Sequence, residues 1–193
     1  MNLPRLLLST TIALALGVAV ALGVRSSTLL SLLTQAAIYA VFALGVGLLL
    51  RQNGMVSFGH ALFFGAAGYV VAILLRVKAV PAETAMLLAV LGSTAFAFLI
   101  GLIIVRVPGI AFGMLTLAIG QMAYLGASRS RGLTGGADGI SVEWPSALFG
   151  VPTATLLQPW AMLLLAWSVL VLVLVMLAPV SYSHLTLPTS DLG

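Results

Sequence analysis

The charged residues of this chain are spaced like the ends of membrane spans. Arg5 and Arg25 enclose 19 uncharged residues, Arg25 and Arg51 enclose 25, and Arg51 and Arg76 enclose 24. Glu83 and Arg106 enclose 22, as do Arg106 and Arg129. Glu143 and Asp191 enclose 47, of which Trp160–Leu177 is almost continuously apolar. An Arg, Lys or Asp at the centre of a bilayer helix costs about 2.5–3.5 kcal/mol, and about 20 apolar residues suffice to cross. The intervals therefore predict six spans, near residues 6–24, 29–50, 58–75, 84–105, 110–127 and 160–178. The runs are continuously apolar, without the alternation of a barrel strand, so the spans are expected to be helices. The expected fold is an all-α polytopic membrane protein of about six transmembrane helices.

Composition narrows the function. Of 193 residues only twelve are charged and 62% are hydrophobic. Such a chain cannot cover the surface of a soluble globule, which excludes a soluble enzyme and a disordered protein. The net charge of +4 comes from scattered single Arg and Lys residues, so no basic patch offers itself to nucleic acid. There is no cysteine, hence no disulfide framework, thiolate metal site or Cys nucleophile. His60 and His184 are the only histidines, too few for a multi-histidine metal site. The glycine-rich stretch Gly132–Gly139 lacks the following Lys-Ser/Thr of a phosphate-binding loop. The acidic residue nearest His60 in sequence is Glu83, at the start of another span, so no catalytic triad is in view. Neither catalysis nor a cofactor or metal is expected.

Local signals mark the boundaries. Leu6–Val24 exceeds the usual apolar core of a secretory signal, and reads as an uncleaved first helix. Asn53-Gly54 tolerates the left-handed conformation that ends a helix, and Arg51 suits the negative end of its dipole. Ser57 is expected to cap span three over Phe58–Leu75. Pro81 and Glu83 suit the start of span four, and Pro108-Gly109 the start of span five. Ser128–Gln158 is the long polar connection, holding Arg129, Arg131, Asp138 and Glu143, with Trp144 and Trp160 as interfacial anchors. With the N-terminus inside, the inner loops carry Arg5, Arg51 and Arg106, whereas the outer loops carry Arg25, Arg76, Lys78, Arg129 and Arg131. The charge count alone thus favours an outside N-terminus.

Polar residues at or inside apolar spans are the candidate functional set. Asn53, Ser57 and His60 gather at one end of span three, and Thr116 and Gln121 lie inside span five. Intramembrane polar groups usually face a bundle interior, so these five are candidates to line a translocation pathway. Packing with local hydrogen bonding is the competing reading, above all for Thr116, whose hydroxyl can bond back to its own helix. Gly59, Gly65 and Gly68, and the pair Gly109 and Gly113, are candidates for close helix packing.

The segment Asn53–Tyr69, NGMVSFGHALFFGAAGY, resembles the signature stretch of branched-chain amino acid ABC transporter permeases, in its M-type version. Leu115-Thr116-Leu117-Ala118 with Gln121, and Thr134-Gly135-Gly136-Ala137-Asp138-Gly139-Ile140, agree in order and spacing. The resemblance covers roughly residues 30–178, the N-terminal portion of such a permease. It implies a multi-pass subunit of the bacterial inner membrane, working in a binding-protein-dependent importer of branched-chain amino acids. The implied partners are a second permease subunit, two cytoplasmic ATPase subunits that hydrolyse the ATP, and a periplasmic substrate-binding protein. It also implies an inside N-terminus, which opposes the charge count. The loop motif Thr134, Gly135, Gly136, Asp138 and Gly139 would then face the periplasm. Urea or short-amide importers share the architecture and remain an alternative, as does an ion-coupled carrier, which would want an intramembrane carboxylate. Residues 1–178 read as a truncated permease domain with an incomplete bundle. Residues 179–193 read as an atypical tail, out of frame or foreign, where the family carries a basic cytoplasmic loop.

Overall fold

The computed structural model describes residues 3–54, 56–77, 80–107 and 109–183, with side chains placed over 8–177 of these except residue 53. The chain forms helices α1 (Leu3–Gly23), α2 (Ser27–Asn53), α3 (His60–Val77), α4 (Ala82–Ile104) and α5 (Ile110–Arg129). A connection follows, with short helix α6 (Arg131–Thr134), a 3-10 turn (Gly136–Asp138), strands β1 (Ala147–Leu148) and β2 (Val151–Pro152), and short helix α7 (Thr153–Leu156). The last element is α8 (Pro159–Ser183).

Among the described residues five helices, α2 to α5 and α8, are long and apolar enough to cross a bilayer. The sequence predicted six spans. The sixth is α1, a helix whose fully described apolar part, Leu8–Gly23, is shorter than that length. Large apolar side chains stand exposed along the spanning helices, such as Ile103, Ile110 and Met122, which suits a lipid-facing surface.

The boundaries follow local chemistry. Arg51, Arg76 and Arg129 sit in the last turns of α2, α3 and α5, where a cation meets the negative end of the helix dipole. Gly54 adopts φ 63° directly after α2. Gly109, with φ 65°, stands at the N-cap of α5. Two boundaries differ from expectation. α3 begins at His60 instead of Phe58, so Ser57 lies three residues ahead of the helix and is not its cap. The backbone from Val56 to Gly59 is non-helical instead, for a reason given by its packing below. At the other end, α8 continues beyond residue 178 through Pro179 to Ser183, while 184–193, with His184, lie outside the described residues.

The chain divides into two compact units, Met1–Ala43 with Ala154–Gly193, and Leu44–Thr153. In the first, α1 packs along α8, around a core of Ala21, Leu30 and Leu163. The indole of Trp167 lies where a Cβ on Gly17 would be, and its Nε1–H donates to the Ala13 carbonyl at 2.9 Å. That bond occupies a carbonyl between α1 and α8 without needing water.

In the second unit α3 and α4 form a helical hairpin, and both pack on α5. Their short connection and the edge-on contact of Phe63 with Phe96, centroids 6.2 Å apart, make them antiparallel. The buried residues Ala82, Ala85 and Ala89 form a small-residue stripe along α4, which permits close approach in lipid. β1 and β2 pair as a minimal antiparallel hairpin, Ala147 opposite Pro152 and Leu148 opposite Val151. Its two-residue turn, Phe149 and Gly150, has φ 51° and 78°, as a type I′ turn requires. The Phe149 N–H donates to Glu83 Oε1 at 2.9 Å, so the first turn of α4 holds the hairpin tip.

Candidate functional site

Two motifs 58 residues apart in sequence meet in space. The Phe58 N–H donates to the Thr116 hydroxyl at 3.2 Å, and the same hydroxyl donates to the Gly113 carbonyl at 2.9 Å. Thr116 therefore does two things. It bonds back within α5, as its type favours in an apolar helix, and it supplies an acceptor to backbone that no helix satisfies. Beside it, a Cβ on Gly59 would lie 2.5 Å from the Thr116 carbonyl oxygen. A Cβ on Gly113 would lie 3.2 Å from the Val56 carbonyl oxygen and from the Phe58 ring. A Cβ on Gly120 would lie 3.6 Å from the Gly59 Cα. Gly113, Thr116 and Gly120 follow the i, i+3, i+7 spacing of one helix face, onto which Val56–Gly59 is laid. This contact is why α3 starts late: the chain runs along α5 before it turns into helix.

Thr116→Val removes the acceptor and leaves the half-buried Phe58 N–H without this partner in an apolar surrounding. It is expected to cost about 1–3 kcal/mol, whereas Thr116→Ser keeps the oxygen and stays within about 1 kcal/mol. Thermal melting of the detergent-solubilised protein checks the difference between the two.

Ser57, His60 and Thr116 line one cavity of about 420 Å³. Its other walls are apolar, including Phe63, Ile104, Phe112 and Ile119, and no Asp, Glu, Lys or Arg lines it among the described residues. Ser57 and Thr116 are buried and His60 is half-buried, its ring edge-on to Phe63 at 6.2 Å between centroids. Gln121 is exposed on α5 and lines a second cleft of about 680 Å³ with Gly59, Gly65, Tyr69, Tyr124 and Thr134. Asn53 closes α2, and its side chain lies outside the described residues.

The glycines fall into two groups. Gly59 and Gly113 stand at close approaches. Gly65, Gly68 and Gly109 do not: a Cβ there meets nothing within 4 Å among the described residues. Gly109 is used for its backbone conformation. Gly120 belongs to the close group and was missed in the sequence, although its spacing from Gly113 and Thr116 was a usable signal. Gly17 was also missed, since nothing near it in sequence announces Trp167.

The loop motif is a folded turn. Gly135, Gly136 and Gly139 have φ 74°, 67° and 75°, which side-chain-bearing residues rarely adopt. The buried Thr134 hydroxyl reaches the Ala127 and Ser130 carbonyls, and the Gly136 N–H points to it at 3.4 Å. Asp138 is exposed. Among the described residues no three His, Asp or Glu side chains gather as metal ligands would.

The chain matches the family described as the permease component of branched-chain amino acid transport systems over residues 28–181. It is 29% identical over 118 residues to the high-affinity branched-chain amino acid transport system permease protein LivM of Salmonella typhimurium, covering 61% of this chain and 28% of that protein. It is 28% identical over 114 residues to LivM of Escherichia coli, covering 59% of this chain and 27% of that protein. The matched stretch thus spans little more than a quarter of each relative. No solved structure matches the chain. The matched residues contain the Val56–Gly59 segment, the Thr116 face and the glycine turn, and the chain belongs to the family of permease components of branched-chain amino acid transport systems.

Proposed function

We propose that this chain is a membrane-spanning subunit of a binding-protein-dependent ABC importer that carries branched-chain amino acids. As a member of its family it is a transport component and not an enzyme, and it is a multi-pass protein of the bacterial inner membrane. Its partners in this reading are a second permease subunit, two cytoplasmic ATPase subunits and a periplasmic substrate-binding protein. The N-terminus lies inside, and the turn at Thr134–Gly139 faces the periplasm.

One observation carries the reading beyond the family: non-helical backbone at Val56–Gly59 borders an apolar cavity inside a helical unit. Broken helices of this kind mark substrate sites in transporters, because freed backbone groups and helix ends can meet a polar solute. An apolar wall suits a branched aliphatic side chain, and the absence of fixed charges among its described residues avoids trapping a zwitterion. Ser57, His60 and Thr116 are the pathway residues of this cavity, with Asn53 before it and Gln121 on the neighbouring cleft. The close contacts at Gly59, Gly113 and Gly120 allow the segment and α5 to shift between packings as ATP is consumed.

The test is uptake of radiolabelled L-leucine by cells or vesicles containing the assembled system. Uptake is expected to need ATP, to compete with isoleucine and valine, and to ignore excess urea. The ATPase subunits are expected to co-purify with the full-length permease. Uptake that persists after ATP depletion would point to an ion-coupled carrier. Competition by urea would move the substrate to that class.

A further inference from the structure

We infer that the first turn of α3 and the Ser57 hydroxyl form the subsite that receives the carboxylate of the transported amino acid. The inference rests on the transport reading and narrows it to one end of the substrate.

Depth comes first. Thr116 lies six residues into α5, and Phe96, which meets Phe63, lies eight residues before the end of α4. At about 1.5 Å per residue these contacts stand about 9 Å and about 12 Å inside the helix ends. The start of α3 is therefore within the depth of the spans rather than at their edge. Unpaired backbone at that depth is tolerated only against protein or along a cavity. The Phe58 N–H is paired with Thr116. The N–H groups of a first helical turn have no partner inside their own helix, and they carry the positive end of its dipole. They suit an anion.

Ser57 supplies the second, independent observation. It is 8% exposed, it lines the same cavity, and its hydroxyl has no hydrogen-bond partner among the described residues. On a residue this deeply buried, an unpartnered hydroxyl at the cavity wall is available to a ligand. Among the described residues no acidic side chain lines the cavity to repel an anion, and no basic one to hold it by charge alone. The helix end is thus a source of positive potential in a low-dielectric wall, where partial charges count for more. The rest of the wall, with Phe63, Phe112 and Ile119, takes an aliphatic side chain. A carboxylate uses this end fully, whereas neutral urea or an amide uses it weakly.

These 193 residues contain no cysteine, so Ser57→Cys is placed in an assembled transporter from which the cysteines of every other segment and subunit have been replaced. Its labelling rate is compared for an anionic sulfonatoethyl and a cationic trimethylammonioethyl methanethiosulfonate, each relative to its rate with a free thiol. The anionic reagent is expected to be favoured by about tenfold. Saturating L-leucine is expected to slow labelling by about tenfold, and isopentylamine, which keeps the side chain but lacks the carboxylate, to slow it far less. Ser57→Ala is expected to lower leucine uptake by about tenfold and Ser57→Thr to restore it to within about twofold. Equal relative rates for the two reagents, equal protection by the two ligands, or wild-type uptake by Ser57→Ala would each overturn the subsite. A wild-type complex that accumulates no leucine fails the transport reading instead, and the ratio of the two labelling rates still decides the anion subsite.

Discussion

A single methyl group added at Gly59 is expected to destabilise the protein by about 3 kcal/mol, at the upper end of overpacking costs. The new Cβ would lie 2.5 Å from the Thr116 carbonyl oxygen and 3.1 Å from the Thr116 Cβ. A flexible side chain could swing away, but this obstacle is helical backbone. Relief requires Val56–Gly59 to lift off α5, which also breaks the Phe58 N–H bond to Thr116. Gly65→Ala is the control. Its Cβ meets nothing within 4 Å among the described residues, and Gly65 sits inside α3. Replacing a helical glycine there should stabilise by about 0.5–1 kcal/mol. Thermal melting of the two variants in the same detergent reads the contrast. If Gly59→Ala melts with the wild type, the segment does not pack on α5 as described.

Gly135→Ala is the second large effect. Gly135 has φ 74°, and its Cβ would overlap the Gly139 carbonyl oxygen. Left-handed strain contributes about 1–2 kcal/mol, and the overlap with backbone raises the total to about 3–5 kcal/mol. Gly139→Ala separates the two causes. Gly139 shares the positive φ but has open space around its Cβ, so only the conformational cost of about 1–3 kcal/mol remains. Hydrogen exchange across residues 130–140 should rise strongly for Gly135→Ala and modestly for Gly139→Ala. Equal exchange in the two variants would mean that the contact with the Gly139 carbonyl does not hold the turn.

Much of the fold was legible because its causes are local. Charges avoid the bilayer wherever the chain runs, so Arg51, Arg76, Glu83, Arg106 and Arg129 bracket helices as read directly from their spacing. Gly54 takes the positive φ that its position after α2 suggested, and Gly109 stands where span five was expected to start. The start of α3 was misplaced by two residues for an instructive reason. Ser57 followed by an apolar run is a good cap signal, and nothing nearby opposes it. What overrides it is α5, more than fifty residues later, which offers a groove of small residues and an acceptor hydroxyl.

The site was legible only as a set of names. Polar residue types inside apolar spans selected Ser57, His60, Thr116 and Gln121. Their grouping was not readable: three share one cavity and Gln121 lines another cleft. The glycines show the same limit. Gly59, Gly65 and Gly68 look alike in sequence, yet among the described residues only Gly59 meets a neighbour. Trp167 finds its acceptor at Ala13, 154 residues away, through a gap left by Gly17.

The sequence by itself determined that this chain spans a membrane as helices, where those helices stop, and to which family its motifs belong. Each of these depends on the transfer energy of side chains or on the conformational range of single residues, and both are properties of the residue and its near neighbours. Only the tertiary structure decided which polar groups share a cavity, which glycines permit contact, and where the backbone leaves the helix. Those depend on which surfaces meet, and helices immersed in lipid meet through steric fit and a few hydrogen bonds that no local pattern encodes.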